Sequence, residues 1–293
     1  MVSSILELLD ISAGDTAIDM TVGLGGHSRT LLEASAPDGR LLGIDRDPGV
    51  LELAAKNLET FGSRVQLVHS SFSESATLAT EHGFTGVAAI LFDLGISSWQ
   101  LDTPQRGFGF KHDAPLDMRM NSATGITAAD VLNTWSEESL VTVLKEYGNE
   151  RLAKPIARSI CWRRQKKDFT TTSEFAGMVS GVYKHFGWKR SRMHPATKAF
   201  QAIRMAVNEE LEQLREGLDA GMQLLKPGGR MAVISFHSGE DRIVKHYFKK
   251  EATEHRGVRL TKKPVKAGEE EVGNNPRARS ALLRVFEKGQ AQA

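Results

Sequence analysis

Residues 16–33 read Thr-Ala-Ile-Asp-Met-Thr-Val-Gly-Leu-Gly-Gly-His-Ser-Arg-Thr-Leu-Leu-Glu, and residues 39–47 read Gly-Arg-Leu-Leu-Gly-Ile-Asp-Arg-Asp. This pattern predicts a buried strand at 17–20 and a tight turn through Gly23, Gly25 and Gly26. A helix at 28–35 and a second strand at 40–45, ending in Asp45, should follow. Together these make a strand–glycine turn–helix–strand unit, which opens a Rossmann-like α/β sheet. Glycines let the backbone pass close to a ligand, and the helix start offers unpaired N–H groups. A carboxylate at the tip of the second strand can accept both hydroxyls of a ribose. A plain α/β turn with no ligand would not need the glycines and the terminal acid together, so a bound nucleoside is expected.

The choice of ligand turns on two residues. Ser28 stands where the dinucleotide pattern carries its third glycine. Asp19, just before the turn, would repel a pyrophosphate and suits a cationic amino group. Both favour S-adenosylmethionine (AdoMet), with its ammonium and sulfonium charges, over NAD. A helix leading into Leu-Lys-Pro-Gly-Gly-Arg at 225–230 and an apolar strand at 231–236 is frequent in AdoMet-dependent methyltransferases and points the same way.

Composition narrows the setting. The 293 residues suffice for one large domain or two modest ones. Cys161 is the single cysteine, which excludes an internal disulfide and suits a reducing, cytoplasmic location. The longest apolar run, 87–92, is too short to cross a bilayer, and residues 1–15 lack the basic start of a secretory signal. No membrane partner is expected. The net charge of +2 hides an asymmetry: residues 151–198 hold twelve Lys/Arg against Asp168 and Glu174, a local +10 that leaves −8 elsewhere. A basic block in a near-neutral chain reads as a polyanion-binding face.

Residues 4–9 form an amphipathic stretch, and Pro48 opens a helix over 50–58. A third strand at 65–69 leads to Phe72, which packs either an adenine face or the core. The continuous apolar run of 87–93 reads as a parallel strand covered on both faces. It delivers Asp93 to the carboxyl edge of the sheet. The loop 99–121 carries Arg106, Phe108 and Phe110 between glycines; its aromatics read as a flap that stacks on a base, or as packing against an inserted segment. Helices are expected at 138–147, 151–164 and 172–183. Thr127 and Thr134 are candidate N-caps, completed as capping boxes by Asp130 and Glu137. Residues 104–193 are thus an inserted all-helical domain, and 1–103 with 194–293 are the sheet domain. In the latter, one long helix covers 197–225, and the fifth strand at 231–236 ends at His237. A helix over 241–250, a charged flexible loop over 262–275 and a last strand at 281–286 complete the chain.

At this point the motifs carry a family likeness. The chain resembles the bacterial RsmH (MraW) methyltransferases through Gly-Gly-His-Ser-Arg (25–29), Ile-Asp-Arg-Asp-Pro (44–48), Asp-Leu-Gly-Ile-Ser-Ser (93–98) and Gln-Leu-Asp (100–102). Arg-Gly-Phe-Gly-Phe (106–110), Pro-Leu-Asp-Met-Arg-Met (115–120), His-Pro-Ala-Thr (194–197) and Phe-Gln-Ala-Ile-Arg (200–204) continue the match. Ile-Ser-Phe-His-Ser (234–238) and Asn-Pro-Arg-Ala-Arg-Ser (275–280) complete it over nearly the whole chain. The resemblance implies a class I AdoMet-dependent enzyme. Such enzymes methylate the exocyclic N4 of a cytidine in the decoding region of small-subunit ribosomal RNA. It implies AdoMet contacts from Gly25, Gly26, His27, Asp45, Phe72, Asp93 and Gln100. Two departures stand out. The chain starts at Met1 inside the region where the family carries His-x-x-Val-Leu, so a cofactor-covering or substrate-side element is expected to be missing. Gly239 also replaces an apolar residue.

Methyl transfer is an in-line displacement that depends on positioning. The amino nitrogen of cytosine is a weak nucleophile, and an acceptor for its N–H would orient and enrich it. Asp93 is the first candidate from its edge position; His237 and Asp117 follow. The base must be single-stranded or flipped to reach the site. Arg106, Phe108, Phe110, Arg163, Arg164, Lys166, Lys167, Arg277 and Arg279 are the candidate RNA contacts. The nine histidines and Cys161 form no ligand cluster, so no metal is expected. The expected partner is small-subunit ribosomal RNA or the ribosomal subunit, and a homodimer is left open. A methyltransferase for DNA or protein, and a weak or inactive RNA-binding assembly protein with a relic cofactor pocket, are the alternatives.

Overall fold

The computed structural model describes residues 1–187 and 193–290. Lys189, Arg190 and Arg192 of the basic block lie outside the described residues. The chain divides into two compact units: residues 1–95 with the chain from Leu211 onward, and residues 96–210.

The first unit is built on a sheet of β1 (Ala17–Asp19), β2 (Leu41–Asp45), β3 (Val65–His69), β4 (Val87–Asp93), β5 (Leu225–Ser235), β6 (Gly257–Arg259), β7 (Val265–Lys266) and β8 (Leu282–Lys288). Its order is β3-β2-β1-β4-β5-β8-β6, with β7 paired to β8. Strands β1 to β5 run parallel, and β8 returns antiparallel to β5, β6 and β7. Alternation of side chains assigns two cores. Ile18, Ile90 and Phe92 join Leu214 and Leu218 of the helix Glu210–Leu224 and Phe248 of the helix Ser238–Thr253. Ala17, Ala89 and Leu91 join Ile5 of the helix Val2–Leu9 and Leu31 of the helix Gly26–Ala34. Both sheet faces are therefore covered, which is why 87–92 reads as unbroken apolar sequence. The strand order reverses between β1 and β4. In such sheets that reversal opens a crevice at the strands' carboxyl ends.

The second unit is helical: Ser98–Asp102, Ala128–Thr134, Glu137–Glu146, Ala153–Arg164, Thr172–His185 and Thr197–Val207. Among the described residues it contains no strand, only an isolated bridge between Pro115 and Thr171. Phe108, Leu116, Met118, Leu132, Ile156, Phe175 and Phe200 are buried in its core.

Several expectations need correction. The helical unit runs from 96 to 210 rather than 104 to 193, because the helix Thr197–Val207 packs Phe200 and Ile203 into the helical core. The expected long helix at 197–225 is two helices. Between them Asn208 turns its side chain to accept from the Met120 N–H and to donate to the Met118 carbonyl, both at 2.8 Å. Glu209 follows in the left-handed region at φ 51°. Thr127 caps its helix with Asp130 as a capping box, but Thr134 ends that same helix, and Ser136 caps the next one. The fifth strand, expected at 231–236, spans Leu225–Ser235, and 226–229 is an irregularity inside it, where pairing with β4 jumps from Leu225 to Arg230. The loop expected at 262–275 holds β7 and the short helix Glu269–Asn274.

Candidate active site

The turn after β1 is held by two carboxylates. Asp45, at the tip of β2, accepts from the Gly23 N–H at Oδ2 and from the Asp47 N–H at Oδ1, both at 2.9 Å. A carboxylate has about four lone-pair positions, so capacity for two ribose hydroxyls remains. Burial pushes the Asp45 carboxyl up to about 6, against the two backbone donors. Gly25, at φ 85°, is the N-cap of the helix Gly26–Ala34. A side chain there would be strained by the backbone and would press on Leu58. Asp19 is fully buried. It accepts from the Ser28 hydroxyl at 2.6 Å and from the Thr21 N–H at 3.1 Å. Burial also raises its carboxyl above the ordinary range, opposed by Ser28. Asp19 therefore anchors the turn instead of facing a ligand's amino group directly, and Ser28 replaces the dinucleotide glycine because its hydroxyl is the anchor's partner.

Asp93 ends β4 across the strand-order reversal from β1. Its N–H donates to the Thr21 hydroxyl at 2.6 Å. Asp93 Oδ2 lies 3.5 Å from His27 Nε2, an ion-pair distance. Its Oδ1 is buried and has no hydrogen-bond partner among the described residues. Such an oxygen leaves a carboxylate under-satisfied, with room for a donor. Burial disfavours the His27 imidazolium, but the Asp93 and Asp19 carboxylates outweigh it and raise the imidazole above its ordinary value. Phe72 stands edge-on to Phe92, with centroids 5.5 Å apart, and lies against Gly217. One side of its ring thus belongs to the core, and it stays half-buried.

His237 is placed differently from expectation. It is the N-cap of the helix Ser238–Thr253, and its Nδ1 accepts from the Glu240 N–H at 3.3 Å. That acceptor role puts the ring proton on Nε2, which faces Glu240 Oε1 at 3.2 Å. Nε2 is buried and makes no hydrogen bond among the described residues, and His237 shapes the end of β5 as the cap of the following helix. A Cβ at Gly239 would lie 3.1 Å from His237 Nδ1, so the missing apolar side chain leaves this cap uncrowded.

Comparison with known proteins decides the family. The MraW methylase family matches residues 1–289. The chain belongs to the MraW methylase family. A relative from Syntrophotalea carbinolica, named ribosomal RNA small subunit methyltransferase H, is 48% identical over 98% of this chain and 96% of its own length. One of the same name from Geobacter sulfurreducens is 46% identical over 98% and 97%. Among solved structures, the N-methyltransferase NodS from Bradyrhizobium japonicum, in complex with S-adenosyl-l-homocysteine, superposes with a TM-score of 0.44 at 10% identity. That likeness covers 98% of this chain and 85% of NodS, and it is too slight to carry an argument. The cofactor of this MraW-family methylase is AdoMet. The sheet edge fits it, because Asp45 keeps lone-pair positions for ribose hydroxyls beside its two backbone donors and Asp93 Oδ1 lacks a donor among the described residues.

The helical unit places the other candidates. Gln100 is buried, and its amide oxygen accepts from the Ser97 N–H at 2.9 Å in a capping box. Asp117 holds Arg119 through two contacts, at 2.9 and 2.8 Å. Burial would raise the Asp117 carboxyl, but Arg119 holds it below the ordinary range. Both of its carboxylate oxygens are engaged by Arg119. Arg106 donates to the carbonyls of Arg119 and Met120 at 3.0 and 2.7 Å. Phe108 is buried, and Phe110 packs on His194 and Phe200 with centroids 4.5 and 4.8 Å away. Of the two readings, flap or packing, the aromatics of this loop take the second. Arg164 donates to the carbonyls of Leu132 and Trp135 at 2.9 and 2.7 Å. Arg163 lies over the Phe169 ring at 4.1 Å and meets Glu174 at 3.2 Å. Lys167 pairs with the same Glu174 at 2.7 Å. That contact, with the Thr170 N–H, holds the Glu174 carboxyl down at about 2. Lys166, Arg277 and Arg279 remain exposed. Among the described residues no group of His, Cys, Asp and Glu could hold a metal.

Thr21 and Ser28 were missed as site residues. Both sit inside the quoted stretch, two positions after β1 and at the third-glycine position. A polar hydroxyl beside a buried acid was the available signal.

Proposed function

We propose that this chain transfers a methyl group from AdoMet to the exocyclic N4 of a cytidine in the decoding region of small-subunit ribosomal RNA. Relatives at 46–48% identity over nearly the whole chain, named for small-subunit ribosomal RNA, support the substrate class. Asp93 carries the chemistry: it is a carboxylate at the end of β4 with one oxygen lacking a donor among the described residues.

Bound AdoMet supplies an electrophilic methyl carbon on a sulfonium sulfur. Asp45 holds the ribose hydroxyls, with its carboxylate pinned by Gly23 and Asp47. Gly25 and Gly26 bring backbone close to the cofactor. Asp93 accepts an N–H of the cytosine amine, which turns the nitrogen toward the methyl carbon. It then takes the proton that the methylated nitrogen must lose. His27 fixes the orientation of Asp93 by holding Oδ2. The half-exposed side of Phe72 takes the adenine. Radiolabelled methyl transfer to small subunits tests this reading: label should appear with wild type and be nearly lost in Asp93→Asn. AdoMet binding without any transfer to subunits would overturn it.

A further inference from the structure

The helix Ala153–Arg164 buries Ala153, Ile156, Ala157 and Ile160 in the helical core. Its other side carries Lys154, Arg158 and Trp162, all exposed, at four-residue spacing, and Lys166 continues the row just beyond the helix. Residues four apart on a helix are neighbours, so the row is a ridge. Trp162 is 60% exposed, more than any other large apolar side chain among the described residues. An indole buries more apolar surface than most side chains, so leaving it in water forgoes a large favourable term. The ammonium of Lys166 lies 4.1 Å over the ring. Arg158 is 82% exposed and meets Glu137 only at 3.9 Å. A ring flanked by cations on both sides is the composition of a single-strand nucleic-acid surface. There, bases stack on aromatics and cations take the phosphates.

We propose that the ridge Lys154–Arg158–Trp162–Lys166 binds single-stranded RNA, with one base stacked on Trp162 and phosphates on the flanking cations. This rests on the reading of RNA as substrate. It moves the grip away from Arg163 and Arg164, whose guanidiniums are engaged within the helical unit, to the outward row. A second copy of this chain meeting the ridge about a two-fold axis would set cations against cations. RNA instead satisfies ring and charges together.

The test compares wild type with Trp162→Ala, Trp162→Phe and Lys154→Gln/Arg158→Gln. Affinity for a single-stranded oligoribonucleotide is measured across a salt series, beside AdoMet calorimetry and methyl transfer to small subunits. Trp162→Ala should weaken oligonucleotide binding about 5- to 150-fold, and Trp162→Phe should recover most of it. The double variant should lower the log–log salt slope by about 1.4, at about 0.7 per phosphate contact. AdoMet affinity should hold in all variants, and KM for subunits should rise more than kcat falls. Unchanged RNA affinity in Trp162→Ala, with wild-type transfer intact, overturns the ridge and leaves the substrate reading standing. Unchanged RNA affinity with a weakened dimer in sedimentation makes the ridge a self-contact and also overturns it. A wild type that neither binds RNA nor methylates subunits overturns the substrate reading, and the ridge with it.

Discussion

The proposed function divides the work of the sheet edge between Asp45 and Asp93, whose surroundings differ. Burial lifts the Asp45 carboxyl to about 6, above its ordinary value near 4. Its contribution to stability is therefore fully present below about pH 4 and is lost as pH rises through 6. A lift of this size disfavours the charged form at pH 7 by about 2–3 kcal/mol. Ribose hydroxyls brought to that carboxylate offset part of the cost. AdoMet affinity should fall as pH drops from 7 to 5, because the proton taken by Asp45 removes an acceptor. Asp45→Asn should weaken binding by about 1–3 kcal/mol at pH 7 and flatten the pH profile in that window; calorimetry from pH 5 to 8 checks both. Asp93→Asn, by contrast, should lower kcat by about 10²–10⁴ with AdoMet affinity changed less than tenfold, measured by single-turnover transfer beside calorimetry. The strand-tip acids were legible in sequence because their position follows from where an apolar run stops. The roles of Arg106, Phe108 and Arg164 were not, because the same residue types serve a flap or a core. Only the carbonyls they meet decide which.

At the scale of elements, short polar contacts set the boundaries that periodicity leaves open. The apolar spacing of 200–218 continues through Asn208, so pattern alone predicts one helix. The buried Asn208 side chain, bonded to the 118–120 backbone, ends it instead. In the same region Gly107 sits at φ 72°, and a Cβ there would collide with the Pro115 carbonyl. Gly107→Ala should therefore destabilise the protein by about 1–3 kcal/mol. Arg164→Gln, which strips two helix-end carbonyls of their donor, should cost about 1–3 kcal/mol. Lys167→Gln, an exposed partner of Glu174, should cost less than about 1 kcal/mol. Thermal melts of the three variants separate these cases, and equal losses for Arg164→Gln and Lys167→Gln would contradict the assignments. Strands β2 and β4 and the 231–235 part of β5 were legible because they are buried and nearly continuous apolar runs. The edge strands β6 and β7 were not, since two or three residues that are half-buried or exposed carry too little pattern.

Across the whole molecule, sequence motif and chemistry are split between two units. The sheet unit gathers three carboxylates about the glycine turn, while the 151–198 block carries +10. Much of that charge near 163–167 is bound to neighbouring carbonyls or to Glu174. A count of Lys and Arg therefore overstates what is offered to a polyanion, and the exposed row on the helix Ala153–Arg164 is where it remains available. The sheet edge is proposed to methylate a cytidine amine in small-subunit ribosomal RNA. The direct measurement supplies AdoMet labelled in its methyl group to wild-type protein with small ribosomal subunits, then digests the RNA to nucleosides and resolves them. The label should be found in N4-methylcytidine, and Asp93→Asn should nearly abolish it. Label in a nucleoside methylated at any other atom, or none in RNA from a protein that binds AdoMet, would contradict the account.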